Sequence, residues 1–145
     1  MFKSLGNQVA GYDLYPDNNW AEKNHIEILD LKHLLNHSDI ITIHVPGNID
    51  GTPVLNQEEL SNIKEGCFLV NVSRGGVVNE DALYEILTNG KLSAAALDVF
   101  SNEPYSGKFC DLDNVILTPH IGSYAKEGKL KMEVDAVMNL VNALK

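Results

Sequence analysis

Apolar residues in this chain come in short, nearly unbroken blocks. Ile40-Ile41-Thr42-Ile43-His44-Val45, Cys67-Phe68-Leu69-Val70-Asn71-Val72, Ala94-Ala95-Ala96-Leu97-Asp98-Val99 and Val115-Ile116-Leu117 have the length and character of strands buried on both faces. Helical spacing fills two of the intervals. Asn56 with Glu59 three residues later reads as a capping box, Leu60 and Ile63 form an inner face, and Gly66 is a stop. Asn79 caps a second helix, with Glu80 and Asp81 in its first turn, Leu83, Ile86 and Leu87 facing inward and Gly90 at its end. Buried strands alternating with helices of about ten residues specify right-handed βαβ units, hence an α/β fold with a doubly wound parallel sheet.

The two ends of the chain are less regular. Residues 1–5 read as the last turn of a helix closed by Gly6, residues 8–12 as a short strand ending at Asp13, and residues 15–19 as a turn-rich stretch. Residues 27–29 predict an edge strand, after which Asp30 caps a short helix with Leu31, Leu34 and Leu35 on one side. Residues 123–145 predict one long helix. Its Leu130, Val134, Val137, Val141 and Leu144 recur at spacings of four and three, a seam that must pack against something. Its own sheet is one candidate. A second domain or a partner subunit is the other, left open by the further apolar positions Met138 and Leu140. No internal repeat, low-complexity tract or linker divides the 145 residues, so one domain is the economical count.

Composition narrows the partners. A hydrophobic content of 44% is globular, and neither a membrane-spanning run nor a secretory signal is present in the pattern. The net charge of −9 and pI near 4.8 disfavour nucleic-acid binding, which needs a basic face against phosphate. Cys67 lies within an apolar run and Cys110 in a polar loop, which reads as two reduced thiols and a cytoplasmic location.

Candidate chemistry collects where strands end. Asp13, His44 to Pro46, Arg74, Asp98 and His120 all fall at the carboxyl ends of predicted strands, the edge at which open parallel sheets bind ligands. Arg74 is a guanidinium delivered by the Cys67 strand, suited to an anion, although an arginine on a turn equally points into water. Asp13 after a short strand suits a ribose diol, although a turn aspartate looks the same. His120 brings an imidazole, the side chain suited to general acid/base work near neutral pH, although a loop histidine is often only solvated. Glu103 adds a carboxylate that would fix the imidazole tautomer and keep a proton on the ring. Arg74, Glu103 and His120 together are what reduction of a 2-oxo acid requires. A metal site is not expected, since His44, His120 and Glu103 lack helical ligand spacing.

The segments Asn71-Val72-Ser73-Arg74-Gly75-Gly76-Val77-Val78-Asn79-Glu80, Leu97-Asp98-Val99-Phe100-Ser101-Asn102-Glu103-Pro104 and Thr118-Pro119-His120-Ile121-Gly122 resemble, in order and spacing, the signature blocks of the D-isomer-specific 2-hydroxyacid dehydrogenases, and the tail from His120 to Leu140 is most similar to phosphoglycerate-dehydrogenase-like members. The resemblance implies a Rossmann-like NAD-binding domain. It assigns Arg74 to the substrate carboxylate and carbonyl, His120 to acid/base work and Glu103 to its support. It places Asp13 at the adenosine ribose, Val45 and Pro46 beside the adenine, and Asp98 at the nicotinamide carboxamide, with Val72, Ser73, Arg74, His120 and Gly122 also facing NAD. It further implies a small 2-hydroxy or 2-oxo acid as substrate, a homo-oligomer, and a last helix that leads back to a substrate domain. Asn79 stands where such proteins commonly have Asp, and both cap helices.

The family's G-x-G-x-x-G fingerprint is absent from the 145 residues. Alignment of the blocks puts residue 1 near the end of the first helix, so the expectation is a sheet incomplete at its first strand and phosphate loop. Residues 40–117 are then expected to keep their sheet, with residues 1–30 displaced or paired with another chain. Little turnover is expected from such a chain alone. A non-catalytic, dehydrogenase-like dimerisation module is the alternative.

Overall fold

A computed structural model describes residues 2–122 and 124–144. In chain order its elements are β1 (Ala10–Gly11), α1 (Asn18–Lys23), β2 (Glu27–Ile28), α2 (Leu31–His37), β3 (Ile40–Ile43), α3 (Gln57–Ser61), β4 (Cys67–Asn71), α4 (Glu80–Thr88), β5 (Leu92–Leu97), β6 (Val115–Leu117) and α5 (Lys126–Ala143), with 3-10 turns at Phe2–Leu5 and Lys108–Asp111. Strands β3-β4-β5-β6 form a parallel sheet in that order, and β1 pairs with β2, also in parallel, as a separate ribbon. The predicted α/β parallel sheet over residues 40–117 is therefore present. Residues 8–29 pair among themselves.

Side-chain alternation decides which face is filled. In register, Ile41 lies beside Leu69 and Ala95, and Ile43 beside Asn71 and Leu97. These residues are buried, in one core with Leu35 of α2, Leu60 of α3 and Leu83, Ile86 and Leu87 of α4. Local sequence sets each helix. Asp30 accepts from His33 N and begins α2. The Asn56 N–H donates to Glu59 Oε2 at the start of α3. Asn79 Oδ1 accepts from the amides of Asp81 and Ala82 at the start of α4.

The opposite face departs from expectation. Continuous apolar runs predict burial on both sides, yet Ile40, Phe68 and Ile116 are exposed, because no helix among the described residues covers that side. The last helix departs as well. No residue of α5 is buried, so the seam from Leu130 to Leu144 does not lie on its own sheet. Sequence reading also misses α1. Its turn-rich Asn18 and Asn19 are overridden by Asp17, whose carboxylate accepts from Trp20 N at 2.9 Å and caps the helix. Met1, Ser123 and Lys145, named in the helical expectations at the two ends, lie outside the described residues.

Candidate active site

β4 ends on buried Asn71, and the turn after it is closed by that side chain. Asn71 Oδ1 accepts from Ser73 N at 3.1 Å and Ser73 Oγ at 2.8 Å, while its Nδ2 donates to Arg74 O at 3.3 Å. The Arg74 guanidinium donates one hydrogen bond to Ser73 O at 2.7 Å and is otherwise exposed. His44, Val45, Pro46, Val72, Ser73 and Arg74 line a cavity of about 330 Å³ at the carboxyl ends of β3 and β4. His44 is held by its own strand, Nε2 lying 2.8 Å from Thr42 Oγ1.

The ends of β5 and β6 carry the second corner. His120 Nδ1 lies 2.8 Å from Glu103 Oε2, and Glu103 Oε1 accepts from Phe100 N at 3.0 Å. The bond from His120, then that from the Phe100 amide, hold the Glu103 carboxyl below its ordinary range. Glu103 is thus an acceptor at neutral pH, so Nδ1 carries the hydrogen and Nε2 is the nitrogen left for chemistry. His120 has a φ of 55°, a left-handed backbone that a non-glycine residue rarely adopts and that is concentrated at functional sites. Phe100, Glu103, Pro104, Tyr105, Pro119, His120 and Tyr124 line a cavity of about 500 Å³ beside the pair.

Asp98, buried at the end of β5, pins the segment that carries His120. Its Oδ1 accepts from Thr118 Oγ1 at 2.5 Å and Ile121 N at 3.0 Å, and its Oδ2 from Gly122 N at 3.1 Å. Burial raises this carboxyl, but the three bonds and the nearby His120 outweigh it, and it titrates below the ordinary range. The structure thus gives Asp98 and Gly122 partners within the chain. Asp13 stands apart: it is exposed after β1, its Oδ1 accepting from Tyr15 N at 2.8 Å, and it lines neither cavity.

Two residues that sequence reasoning did not assign to the site join the corners. A Cβ on Gly75 would sit 1.9 Å from Phe100 O, so the Arg74 turn lies directly on the loop that carries Glu103. Glu80 Oε1 accepts from Ser101 N at 2.7 Å and ties that loop to the start of α4. The Gly75-Gly76 pair was the available signal, since adjacent glycines after a strand mark a close backbone approach. Aromatic packing backs the same loop: the Phe100 and Tyr105 rings stack at 4.1 Å, and fully buried Phe109 lies against Tyr105 and Tyr84. Cys67 is no competing nucleophile, because burial, with Asp39 nearby, pushes its thiol up to about 11.

A dinucleotide fits what is present on one wall. The cavity at β3 and β4 is lined without a carboxylate and offers the Arg74 guanidinium and the Ser73 hydroxyl to an anionic ligand.

Known proteins share this chain's sequence and fold. Residues 1–122 match the family model described as D-isomer specific 2-hydroxyacid dehydrogenase, NAD binding domain. A D-3-phosphoglycerate dehydrogenase of Archaeoglobus fulgidus is 37% identical over 145 residues, covering 99% of this chain and 28% of the relative. A solved D-isomer-specific 2-hydroxyacid dehydrogenase from Polaromonas sp. JS6 66 superposes with a TM-score of 0.83 at 34% identity, over 97% of this chain and 46% of that one. The D-lactate dehydrogenase of Aquifex aeolicus, solved with NAD and lactic acid, gives 0.80 at 31% identity over 97% and 48%. The chain spans less than half the length of each of these proteins. Because that family model matches residues 1–122 of the 145, and relatives and solved structures of the same family match nearly the whole chain, the chain belongs to the D-isomer-specific 2-hydroxyacid dehydrogenases.

Proposed function

We propose that this chain forms the NAD-side wall of an NAD-dependent oxidoreductase that interconverts a D-2-hydroxy acid and its 2-oxo acid. The observation that carries the proposal is the 2.8 Å contact between His120 Nδ1 and Glu103 Oε2, at the same sheet edge as Arg74. NAD, when bound, supplies hydride exchange at the substrate's second carbon. Arg74 pairs with the substrate carboxylate and carbonyl through the N–H groups it does not donate to Ser73. In reduction His120 Nε2 delivers a proton to the carbonyl oxygen, and in oxidation it withdraws one from the hydroxyl. Glu103 stabilises the ring while it is charged and keeps Nε2 turned outward. Val45, Pro46, Val72 and Ser73 are proposed to flank the dinucleotide, Asp13 to accept its ribose diol, and Asp98 and Gly122 to border the nicotinamide. A small acid of the 3-phosphoglycerate kind is the proposed substrate, on the strength of the Archaeoglobus relative. The proposed setting is a homo-oligomer in the cytoplasm, where a buried Cys67 and an exposed Cys110 remain free thiols.

The test is NADH oxidation with a panel of 2-oxo acids, by the 145-residue chain and by a protein of the relatives' length that contains it. Turnover is expected in the longer protein and little or none in the chain alone. Glu103→Gln should lower the apparent pKa of the acid limb, because the imidazolium loses its negative partner. A longer protein inert toward every 2-oxo acid would overturn the function. An active one whose pH profile ignores Glu103→Gln would overturn the partnership.

A non-catalytic dimerisation module is favoured as a second reading by one observation, the fully exposed apolar seam of α5.

A further inference from the structure

Phe100 and Ser101 stand between the end of β5 and Glu103, and their backbone is gripped from three sides. The Phe100 ring is buried and stacks on Tyr105 at 4.1 Å. Gly75 lies against the peptide that joins the two residues, so closely that a Cβ there would sit 1.9 Å from Phe100 O and 2.9 Å from Ser101 N. The third grip is a carboxylate, Glu80 Oε1, which accepts from Ser101 N at 2.7 Å. The amide just before it, Phe100 N, donates to Glu103 Oε1 at 3.0 Å, and Glu103 Oε2 lies 2.8 Å from His120 Nδ1. Consecutive amides of one loop are thus taken by two carboxylates, one from the pair with His120 and one from the start of α4.

Glu80 and Asp81, adjacent in the first turn of α4, reach this loop in different ways. Asp81 meets Lys108 at 2.6 Å with its side chain 91% exposed, a bridge between two mobile side chains that contributes little. Glu80 meets a backbone N–H two residues before Glu103. A charge-assisted bond there sets the plane of a peptide and not the place of a side-chain tip.

We propose that Glu80 is a positioning residue for the Glu103–His120 pair: by holding Ser101 N while Gly75 backs the same peptide, it fixes the direction in which Glu103 leaves the loop, and so the imidazole that Glu103 orients. Glu80 lines neither cavity and acts only through Glu103. The proposal rests on the proton-transfer role given above to His120, but the state of the pair can be read without turnover, so the two fail separately. The other titratable groups near these carboxylates are Asp98, beside Glu103, and Tyr105, beside Glu80. No variant below removes either.

Carbon NMR titration of the Glu103 carboxyl in the 145-residue chain is the first test, its signal assigned by loss in Glu103→Gln. The His120 bond and then the Phe100 bond hold this carboxyl below its ordinary range, so Glu80→Ala should raise its midpoint toward that of an ordinary glutamate. Glu80→Asp keeps the charge at the helix start but falls short of Ser101 N, and should act as Glu80→Ala does; it decides the matter if Glu80→Ala loses its fold by circular dichroism. Glu80→Gln keeps an oxygen able to accept from Ser101 N, and should stay near wild type. Kinetics in a protein of the relatives' length is the second test. Glu80→Ala and Glu80→Asp should lower kcat about 10- to 100-fold through misplacement, with KM within about twofold because Glu80 meets no substrate group. Both should lower the apparent pKa of the acid limb, as expected for Glu103→Gln. Asp81→Ala removes the neighbouring charge and should leave the Glu103 midpoint in place and kcat within about twofold of wild type. Three results overturn the proposal: an unmoved Glu103 midpoint in Glu80→Asp, a Glu80→Gln variant as impaired as Glu80→Ala, or an effect of Asp81→Ala as large as that of Glu80→Ala. A longer protein inert toward every 2-oxo acid overturns the function instead, and the titration still decides the role of Glu80.

Discussion

The two corners of this sheet edge are built in opposite ways. At the β5–β6 corner the polar groups are committed within the chain: His120 to Glu103, Glu103 also to Phe100 N, and Asp98 to three donors. At the β3–β4 corner the backbone turn is fixed by Asn71, but the Arg74 head makes one bond, to the carbonyl of its neighbour. The difference follows from the work each is proposed to do. A proton donor needs its tautomer and direction settled before a ligand arrives, and only partners inside the fold can settle them. A guanidinium meant for a ligand carboxylate keeps its value by leaving donors free.

The largest expected effect breaks the committed corner from below. Phe109 is fully buried at the 3-10 turn behind the Glu103 loop, against Tyr105 and Tyr84. Phe109→Ala should destabilise the chain by about 3–5 kcal/mol through lost burial and the cavity left behind, measured as a fall in the urea midpoint. Next comes the junction of the two corners. Gly75→Ala places a Cβ against Phe100 O, at a backbone separation no rotamer change relieves. A loss of about 1–3 kcal/mol is expected, with a fall in kcat in the active protein as Arg74 and Glu103 move apart. Unchanged stability in Gly75→Ala would mean that the turn and the loop are not in contact.

Most of this was legible in the residues themselves, and what was not has physical causes. The strand runs at Ile40, Cys67, Ala94 and Val115, the caps at Asp30, Asn56 and Asn79, and the proximity of Glu103 to His120 were readable because each depends on local pattern or on signature blocks. The β1–β2 pairing and the helix-free face were not, since an apolar run reports that a residue avoids water and not what covers it. The Asp98 clamp was not legible for a related reason. A carboxylate at a strand end looks the same whether it waits for a ligand or already holds the next loop. Gly75 and Glu80 escaped because their partners lie on the following βα unit, beyond the reach of spacing.

Asp98→Asn sharpens the comparison with a smaller effect. An amide oxygen replaces two carboxylate oxygens that accept three bonds, so about 1–3 kcal/mol should be lost at neutral pH. The sign with pH follows from the direction of the shift. The folded carboxyl titrates below its ordinary value, so its contribution is fully present above about pH 4, the range of an unperturbed aspartate, and disappears as pH falls through the folded value. Wild type and variant should therefore differ at pH 7 and converge in acid. A gap that stays constant down to pH 2 would show that Asp98 acts by packing and not by charge.

The smallest effect on the fold is expected at the uncommitted corner, and it is the most informative about the contrast. Arg74 is exposed and gives one bond to its own turn, which Asn71 closes without it. Arg74→Ala should leave the urea midpoint within about 0.5 kcal/mol of wild type. In the active protein the same change should raise KM for the 2-oxo acid and lower kcat together, because the guanidinium is proposed to hold the carboxylate in the ground state and the carbonyl oxygen as charge develops. Arg74→Lys should recover part of KM and little of kcat, since an ammonium supplies charge without the planar fork. If Arg74→Ala instead unfolds the chain, the guanidinium is structural and the two corners are built alike.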